Sequence, residues 1–436
     1  MNETGSWGRY PRSQTNTHPL VKLSDFKSLQ PMSSSVLPYG CGRSYGDSCL
    51  NNGGTLLLTK GLNQLIHFDS DKGVLRCESG TTLAKILDFI VPKGWFLQVT
   101  PGTKHVTVGG AIANDVHDKN HHNAGTFGCH VLQLEIERSD GRRLLCSPVE
   151  NADWFAATIG GLGLTGLILW AELKLKKIPS AWLEMESIPF ENMSGFYDIS
   201  NESNDRFEYT VAWVNSLSAG KKLGRGIFLR GNHIFPTNKR DLFPVHSLAK
   251  IALNFEPPFS LLNKFSIQCF NFTYFNNNKL SKRKKIVHYD PFFYPLDVID
   301  KWNLLYGPKG FFQYQCMVPW KDKSVIEEIL KLALKKHLFS SLTGIKTFGN
   351  TLSPGILSFP KPGITVMMDF ANGGNKTMEG LEYLDEIVRR CGGRVYPAKD
   401  ARMSGESFKQ YYPEWGRFKN YIDPGFSSSF LRRVLG

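Results

Sequence analysis

The sequence predicts an α+β protein of two domains. Its 436 residues correspond to two or three domains at roughly 100–200 residues each. Between residues 36 and 178, short apolar strands alternate with glycine turns, and the second half combines strands with amphipathic helices at Ser324–Lys336 and Met378–Arg390. Both halves thus contain strands and helices, as an α+β fold requires.

The first half contains a well-marked helix between two strands. Residues 74–75 and 96–99 are predicted as strands, and Thr82 caps the helix between them, which ends before Pro92. The predicted strand at 167–175, the last of this half, is followed by Pro179, where we expect the domain boundary. The other predicted strands of this half are 56–58, 131–137, 143–146 and 167–175.

The composition excludes disordered and fibrous proteins and points to an anionic partner. Hydrophobic residues make up 41% and charged residues 21% of the chain, as in ordinary globular proteins. Lys and Arg, 52 in number, against 39 Asp and Glu give a formal net charge of +13. A nucleic acid, a phosphate-bearing metabolite or an acidic lipid surface would each match that sign.

Cysteine usage and hydropathy indicate a reduced, cytosolic protein that does not span a membrane. The 8 cysteines include no C-x-x-C pair and no Cys/His cluster at zinc spacing. The N-terminus has no apolar core of signal-peptide length, and no later run reaches about 18 apolar residues. We expect a cytoplasmic protein; a peripheral position at the inner face of the cell membrane, or at a periplasmic face, stays open.

A glycine-rich hexapeptide at Gly161–Gly166 matches the dinucleotide fingerprint G-x-G-x-x-G, but its context is reversed. That motif needs a strand before the glycines and a helix after them. Here residues 153–159 are predicted as a helix and residues 167–175 as a strand. The sequence therefore disfavours a nicotinamide site, and the glycines are expected to let the backbone pass close to a ligand or a neighbouring strand.

Two glycine-rich loops predict a phosphate-binding site. The first is PYGCGRSYGD at 38–47, and the second is PGTKHVTVGGA at 101–111. Glycines that accept positive φ let successive amide N–H groups converge on one anion. The hydroxyls of Thr103 and Thr107 would add donors, and Arg43 would add charge. Each loop alone could equally be a tight turn, but two of them flanking one small α/β unit favour phosphate.

The stretch NDVHDKNHHNAG at 114–125 follows the second loop directly. Its three histidines, with Asp115 and Asp118, suggest a metal site. Their spacing matches no common ligand set, however, and the neighbouring amides and glycines suit a polar organic ligand better. A surface loop is a further alternative. We expect a loop that contacts a cofactor and a substrate, and no metal.

These motifs, in this order, resemble a family of flavoproteins. The loops and the TIGGLGLTG segment (158–166) are similar to the FAD-binding domain of the vanillyl-alcohol-oxidase or PCMH type. Within that superfamily the chain resembles the decaprenylphosphoryl-β-D-ribose 2′-oxidase family. The chain also contains further segments in the order in which they occur in that family: SWGRY (6–10), GPKGFFQYQCMVP (307–319), KTFG (346–349) and CGGRVYPAKDAR (391–402).

The resemblance implies three parts of the chain and a set of cofactor contacts. The parts are a PCMH-type FAD-binding domain of two α/β subdomains (1–178), a substrate domain built on an antiparallel sheet with flanking helices (179–395), and a C-terminal segment (396–436) that returns to the FAD domain. The implied FAD contacts are Gly40, Cys41, Gly42, Arg43, Ser44, Tyr45, Gly46, Asp47, Gly102, Thr107, Val108, Gly109, Gly110, Asn114, His117, Leu167 and Tyr396.

The resemblance also implies oxidation of the C2 hydroxyl of a polyprenyl-phosphate pentose to a 2-keto sugar. A separate NAD(P)H-dependent reductase would complete the epimerisation to an arabinose donor for cell-envelope polysaccharide. Such an oxidation needs flavin as hydride acceptor and a group that takes the hydroxyl proton. Lys399 is the expected base or oxyanion donor, and His117 competes for that role. The implied substrate contacts are Tyr45, Lys119, Gln315, Lys346, Thr365 and Met367, with Lys119 and Lys346 meeting the phosphate.

Several positions depart from the family pattern. Arg43 stands where members that attach FAD covalently carry a histidine, so we expect non-covalent FAD. Thr365 and Met367 replace an amide and a thiol, and Asp118 replaces a glycine. These changes affect the choice of sugar, and a soluble polyol or sugar lactone is the alternative substrate. A basic nucleic-acid-binding protein is the alternative from another class, but the chain has no recognisable reading motif.

An aromatic segment and a basic run predict a mobile flap at 255–290. Aromatic residues are concentrated between Phe255 and Phe275, and the basic run is Lys282–Lys285. Apolar side chains would face prenyl chains and the cations would face anionic head groups, so the flap would contact a membrane. A core strand pair followed by a solvated loop is the alternative.

Overall fold

The computed structural model describes residues 4–26, 34–235, 241–244, 251–253, 255–281 and 283–435. The strands of its N-terminal part are β1 (Asn16–Pro19), β2 (Val36–Tyr39), β3 (Thr55–Leu58), β4 (Leu65–Asp69), β5 (Val74–Glu78), β6 (Trp95–Leu97), β7 (Val131–Glu137), β8 (Arg143–Cys146) and β9 (Leu167–Lys177). The first three form a parallel sheet of order β1-β3-β2. The others form a sheet of order β4-β5-β9-β7-β8, in which β6 also pairs with β9.

The second sheet is built around β9, which pairs antiparallel with β5, β6 and β7. Helix α1 (Leu83–Ile90) packs its apolar face into the same buried cluster as β9. The Thr82 hydroxyl accepts a hydrogen bond from the Lys85 amide at 3.2 Å, which caps the helix. Gly94, with φ of 76°, ends the helical turns. The predicted helix and its cap are therefore confirmed.

The second part of the chain contains a large antiparallel sheet. Its strands are β10 (Trp182–Phe190), β11 (Tyr209–Val214), β12 (Gly226–His233), β13 (Ile251–Ala252), β14 (Lys284–His288), β15 (Ile299–Asp300), β16 (Phe311–Pro319), β17 (Ser340–Phe348), β18 (Gly363–Ala371) and β19 (Arg394–Val395). The sheet has 8 strands in the order β14-β10-β12-β11-β17-β18-β16-β19, while β13 and β15 form a short parallel ladder. All neighbouring pairs of the large sheet are antiparallel.

The predicted helices of the second half are present and cover this sheet. Helices α8 (Val325–Lys335) and α9 (Asn375–Arg390) share one apolar cluster with β16 and β18. The same cluster includes Leu37 and Leu56 from the parallel sheet. The two parts of the chain therefore have a common core, and the α+β class is as predicted. The other helices are α2 (Val108–Ala113), α3 (His121–Ala124), α4 (Ala152–Thr158), α5 (Met193–Ser203), α6 (Lys264–Leu280), α7 (Tyr289–Phe293), α10 (Gly405–Tyr411), α11 (Trp415–Phe418) and α12 (Ser429–Leu435).

Residues 264–275 of the aromatic segment lie in helix α6, so the alternative of a core strand pair is wrong there. The Asn263 side chain caps its first turn, and Ile267 and Phe275 are buried against the sheet. Phe265 and Phe272 lie on the opposite side of the helix and are 76% and 71% exposed. Among the described residues, no helix has both the length and the apolar composition needed to cross a membrane.

The described part of the basic run leads into a strand of the large sheet. Lys284 and Lys285 lie in β14, an edge strand that pairs with β10, so the end of the predicted flap is part of the large sheet. Lys284 forms ion pairs with Glu184 and Glu186 at 3.3 and 3.1 Å. Lys282 lies outside the described residues.

The chain after β19 forms hydrogen bonds and ion pairs with the N-terminal part of the protein. The Tyr45 amide donates to the Ala398 carbonyl at 2.9 Å. Arg433, from α12, pairs with Asp47 at 2.7 Å and with Asp400 at 2.8 Å. These contacts join the first glycine loop to the end of the chain.

Gly46 provides a stability test of this junction. A Cβ added there would lie 1.6 Å from the Asp400 carbonyl oxygen, so Gly46→Ala must displace the backbone. Overpacking of this kind costs about 1–3 kcal/mol or more. We expect a matching loss in the free energy of unfolding of the purified protein, measured by urea titration. Gly416→Ala is the control, because no atom lies within 4 Å of its added Cβ; equal effects of both substitutions would contradict the close approach.

Candidate functional site

A large cavity, of about 260 Å³, lies between the N-terminal sheets and the large antiparallel sheet. The two glycine-rich loops, 38–49 and 101–117, form one wall. The opposite wall comes from β16, β17 and β18 and from the chain at 396–399. The topology thus brings residues from the beginning, middle and end of the sequence to one space.

The first glycine loop is held by the N-terminal segment. The Trp7 amide donates to the Ser44 carbonyl at 2.7 Å, and the Gly8 amide donates to the Tyr45 carbonyl at 3.2 Å. The Arg43 guanidinium stacks on the Trp7 ring, 3.9 Å from its centroid. Both side chains line the cavity, so this stack fixes a cation at the wall.

The two loops pack against each other closely enough to require glycine. Thr107 caps α2 by accepting from the Gly110 amide at 3.1 Å. A Cβ on Gly40 would lie 2.4 Å from the Thr107 hydroxyl, and a Cβ on Gly109 would lie 3.1 Å from Ser79. At these two glycines the close approach leaves no room for a larger side chain unless its neighbours shift.

Polar atoms in this wall are left for a ligand. The side chains of Ser48 and Ser79, the Arg43 Nε and the His117 Nδ1 are buried without a hydrogen-bond partner among the described residues. All four residues line the cavity. Donors of this kind, beside exposed backbone amides, suit a ligand with phosphate and carbonyl oxygens, and FAD is such a ligand.

Lys399 lines the cavity and lies over the Tyr45 ring. Its Nζ is 3.7 Å from the centroid of the Tyr45 ring. Burial lowers the pKa of Lys399 to about 7, and the charge of Asp369 opposes this shift. Burial raises the pKa of Asp369 to about 7, opposed by a 2.6 Å hydrogen bond from Gln313 and by the charge of Lys399. The cavity thus contains an amine that exchanges a proton near neutral pH.

His117 is a buried, neutral imidazole. It is 7% exposed and lies among the rings of Phe348, Phe359 and Tyr396. Burial holds the pKa of His117 well below its ordinary value, and the charges of neighbouring groups, including Lys346 and Lys399, lower it further. This ring therefore carries no charge at neutral pH.

Asp118 lies between two lysines. It forms ion pairs with Lys346 and with Lys119, the latter at 3.3 Å. Burial would raise the pKa of Asp118, but both lysine charges outweigh it and hold the pKa below its ordinary value. With two cations and one anion, the cluster has a net charge of about +1 in a place with little water. An anionic group of a ligand would be attracted to Lys346, which lines the cavity.

Most of the predicted site residues lie in the cavity wall. These are Gly40, Cys41, Gly42, Arg43, Ser44, Tyr45, Gly102, Thr107, Gly109, Gly110, Asn114, His117, Leu167, Gln315, Lys346, Met367, Tyr396 and Lys399. The structure does not place Gly46, Asp47, Val108, Lys119 or Thr365 there.

The five others have different environments, and their predicted contacts stay predictions. Gly46 and Asp47 contact the C-terminal segment, through Asp400 and Arg433. Val108 is buried in the core of the second sheet. The side chain of Lys119 turns to Asp118 and the Phe293 carbonyl, and Thr365 is buried behind Gln315. Lys119 and Thr365 therefore act on the cavity only through a neighbour.

Sequence reasoning missed several residues of the site. Asp369 is buried beside Lys399, and Gln313 lies in the wall next to it. Successive side chains of a strand point to opposite faces of the sheet, so residues two positions apart share a face. The prediction of Gln315 and Met367 therefore also indicated their neighbours two positions away, Gln313 and Asp369. Other wall residues that were not predicted include Trp7, Ser79, Asp297, Trp302 and Leu342.

Comparison with known proteins identifies the family. Residues 29–147 match the FAD binding domain family model. The decaprenylphosphoryl-β-D-ribose oxidase of Mycolicibacterium smegmatis is 34% identical, over 98% of this chain and 96% of that protein. The chain belongs to the PCMH-type FAD-dependent oxidoreductases, in the family of that oxidase. Its cofactor is FAD.

Two further relatives show how far the similarity extends. An uncharacterized protein in the mprA 5′ region of Streptomyces coelicolor is 28% identical over 81% of this chain and 99% of its own length. The human Delta(24)-sterol reductase is 29% identical over only 26% of this chain and 22% of its own length. The similarity to the first two relatives therefore extends well beyond residues 29–147, whereas the similarity to the sterol reductase covers only a short part of each chain.

Proposed function

We propose that this FAD-dependent oxidoreductase oxidises the C2 hydroxyl of a polyprenyl-phosphate pentose to the 2-keto sugar. The observation that carries the proposal is the cavity in which Lys399 and Lys346 face the glycine loops and His117. A proton-accepting amine and a phosphate-attracting cation thus lie in one wall, opposite the residues that would hold FAD. The relative named decaprenylphosphoryl-β-D-ribose oxidase, which aligns over 98% of the chain, supports the same substrate class.

The oxidation removes a hydride from carbon and a proton from oxygen. FAD, when bound, supplies the hydride acceptor. We assign the proton to Lys399 Nζ, because its pKa of about 7 leaves free amine available at neutral pH. The carboxylate of Asp369 would stabilise the ammonium that forms. Arg43, Ser48 and Ser79 are the side chains that we propose for contacts with the cofactor's polar groups.

The substrate phosphate would bind at Lys346. This lysine is 9% exposed and lines the cavity, and Lys119 stands behind it across Asp118. We propose that Lys119 and Asp118 set the position and charge of Lys346, while Lys346 contacts the phosphate directly. Arg43, stacked on Trp7, belongs to the opposite wall and is assigned to FAD.

The keto-sugar product implies a second enzyme. Its carbonyl must be reduced from the other face to give an epimer, and this chain has no nicotinamide motif in the required context. We therefore propose a separate NAD(P)H-dependent keto-reductase as the functional partner.

We also propose that the protein lies peripherally on the cytoplasmic face of a membrane through α6. Phe265 and Phe272 project from this helix, and Phe255 and Phe259 before it are 61% and 67% exposed. Residues 257–281 contain Lys264 and Lys279 but no acidic residue. An aromatic, weakly basic surface of this kind suits an anionic bilayer.

The substrate assignment predicts which compounds reduce the flavin. Anaerobic mixing of the FAD-loaded protein with a polyprenyl-phosphate ribose should bleach the flavin absorbance, while soluble polyols and sugar lactones should not.

Lys346→Gln should raise KM for the lipid-linked sugar about 10- to 100-fold, since a charge-assisted hydrogen bond contributes about 1.5–3 kcal/mol. Bleaching by soluble polyols alone, with no response to the lipid-linked sugar, would reject the proposal.

The role of Lys399 predicts a pH dependence. If the free amine takes the proton, the rate of flavin reduction rises with pH through about 7. Asp369→Asn removes a charge that raises the pKa of Lys399, so the acidic limb of the profile should move to lower pH. Asp198→Asn, the same charge change on the exposed side of α5, should leave it in place. An unmoved limb in Asp369→Asn would argue against Lys399 as the titrating group.

The membrane contact predicts an effect of the exposed phenylalanines. Phe265→Ser combined with Phe272→Ser should reduce sedimentation with anionic phospholipid vesicles, because burial of two aromatic side chains is lost. Val149→Ser is the matched control, since Val149 is 94% exposed on a turn far from α6 in sequence. Equal binding by the double variant and the control variant would show that α6 does not contact the bilayer.

A further inference from the structure

Gln315 connects His117 to Thr365 across two strands of the large sheet. Its Nε2 lies 3.0 Å from His117 Nε2 and 3.3 Å from Thr365 Oγ1. Thr365 Oγ1 in turn donates to the Cys316 carbonyl at 2.8 Å. Gln315 and Thr365 are 4% and 2% exposed, so bulk water does not compete for these hydrogen bonds.

The direction of the chain of hydrogen bonds follows from the single proton of the Thr365 hydroxyl. This proton is given to the Cys316 carbonyl, so Thr365 Oγ1 can only accept from Gln315. The end of the amide that faces Thr365 is therefore its NH₂ group, and the same group faces His117 Nε2. A donor at that position requires Nε2 to accept, which leaves the ring proton on Nδ1.

The surroundings of His117 favour the same state. The ring lies 5.0 Å from Phe348 and 5.2 Å from Tyr396, measured between centroids, and these apolar neighbours disfavour an imidazolium. Burial keeps the pKa of His117 low, although the backbone of Asp115 partly offsets the shift. A neutral ring has one proton, and the hydrogen-bond chain fixes its location.

We propose that Gln315 and Thr365 are positioning residues that hold His117 as its neutral Nδ1–H tautomer, with the Nε2 lone pair occupied by the Gln315 amide. His117 then takes no substrate proton at Nε2, and Lys399 Nζ is the acceptor that remains. The tautomer can be measured without substrate, so it does not depend on the proposed function. Only the assignment of Lys399 Nζ as the proton acceptor rests on the proposed function. Thr365, which is outside the cavity wall, thereby acts on the site through Gln315 and His117.

The tautomer is measured by ¹⁵N chemical shifts of the imidazoles in FAD-loaded protein labelled at its 11 histidines. The His117 resonances are assigned by their loss in His117→Gln. We expect a pyrrole-type shift at Nδ1 and a pyridine-type shift at Nε2 in the wild type and in Thr365→Ser, which keeps the hydroxyl. In Gln315→Glu the carboxylate accepts, so the proton should move to Nε2 and the two shift types should exchange.

A pyrrole-type Nε2 in the wild type, or unchanged shifts in Gln315→Glu, would overturn the proposal. If Gln315→Glu loses FAD, Thr365→Val replaces it: without the hydroxyl the amide can turn, and both nitrogens should move toward intermediate shifts. A Thr365→Val spectrum identical to that of Thr365→Ser would contradict the role of Thr365. If the ¹⁵N shifts of His117 are as expected but the lipid-linked sugar does not bleach the flavin, only the proposed function is rejected.

Discussion

The close approach of the chain after β19 to the first glycine loop is the constraint on which the site depends. The Tyr45 amide donates to the Ala398 carbonyl, and Gly46 lies against Asp400 with no room for a Cβ. Since β19 pairs with β16, this contact also fixes the distance between the loop and the large sheet. Lys399 therefore reaches the cavity from a segment that both parts of the chain hold, and its position does not depend on a mobile loop.

The buried charges determine the chemistry of the site and limit which substitutions it tolerates. Asp118 compensates two lysines, and Asp369 compensates Lys399. Removing one partner of a buried pair leaves an unpaired charge, which costs about 3–5 kcal/mol. The carboxylates therefore allow the lysines to be buried, and the remaining positive charge is directed at the ligand.

The sequence predicted what local chemistry determines and missed what long-range pairing determines. The glycine loops, α1 with its Thr82 cap, and the helices α8 and α9 follow from φ preferences, capping and periodicity over a few residues. Asp369 meets Gln313 only because β16 and β18 pair in that register. Asp47 was predicted from its motif as a cofactor contact, yet it binds Arg433, which is 386 residues away. No local pattern encodes such a partner.

Helix α6 places the exposed aromatic surface directly above strands that lead to the cavity. Asn271, on its buried side, donates to Asn215 at 2.8 Å, and Phe275 packs in a cluster with Trp213. Leu342 contacts this cluster and also lines the cavity, where Lys346 follows it on β17. This path runs from the exposed aromatic surface of α6 to an apolar wall residue and then to Lys346, the proposed phosphate ligand, which shares the cavity with Lys399, the proposed proton acceptor. A lipid-linked sugar has its parts in the same order, since the prenyl chain ends in the phosphate and the phosphate carries the sugar that is oxidised.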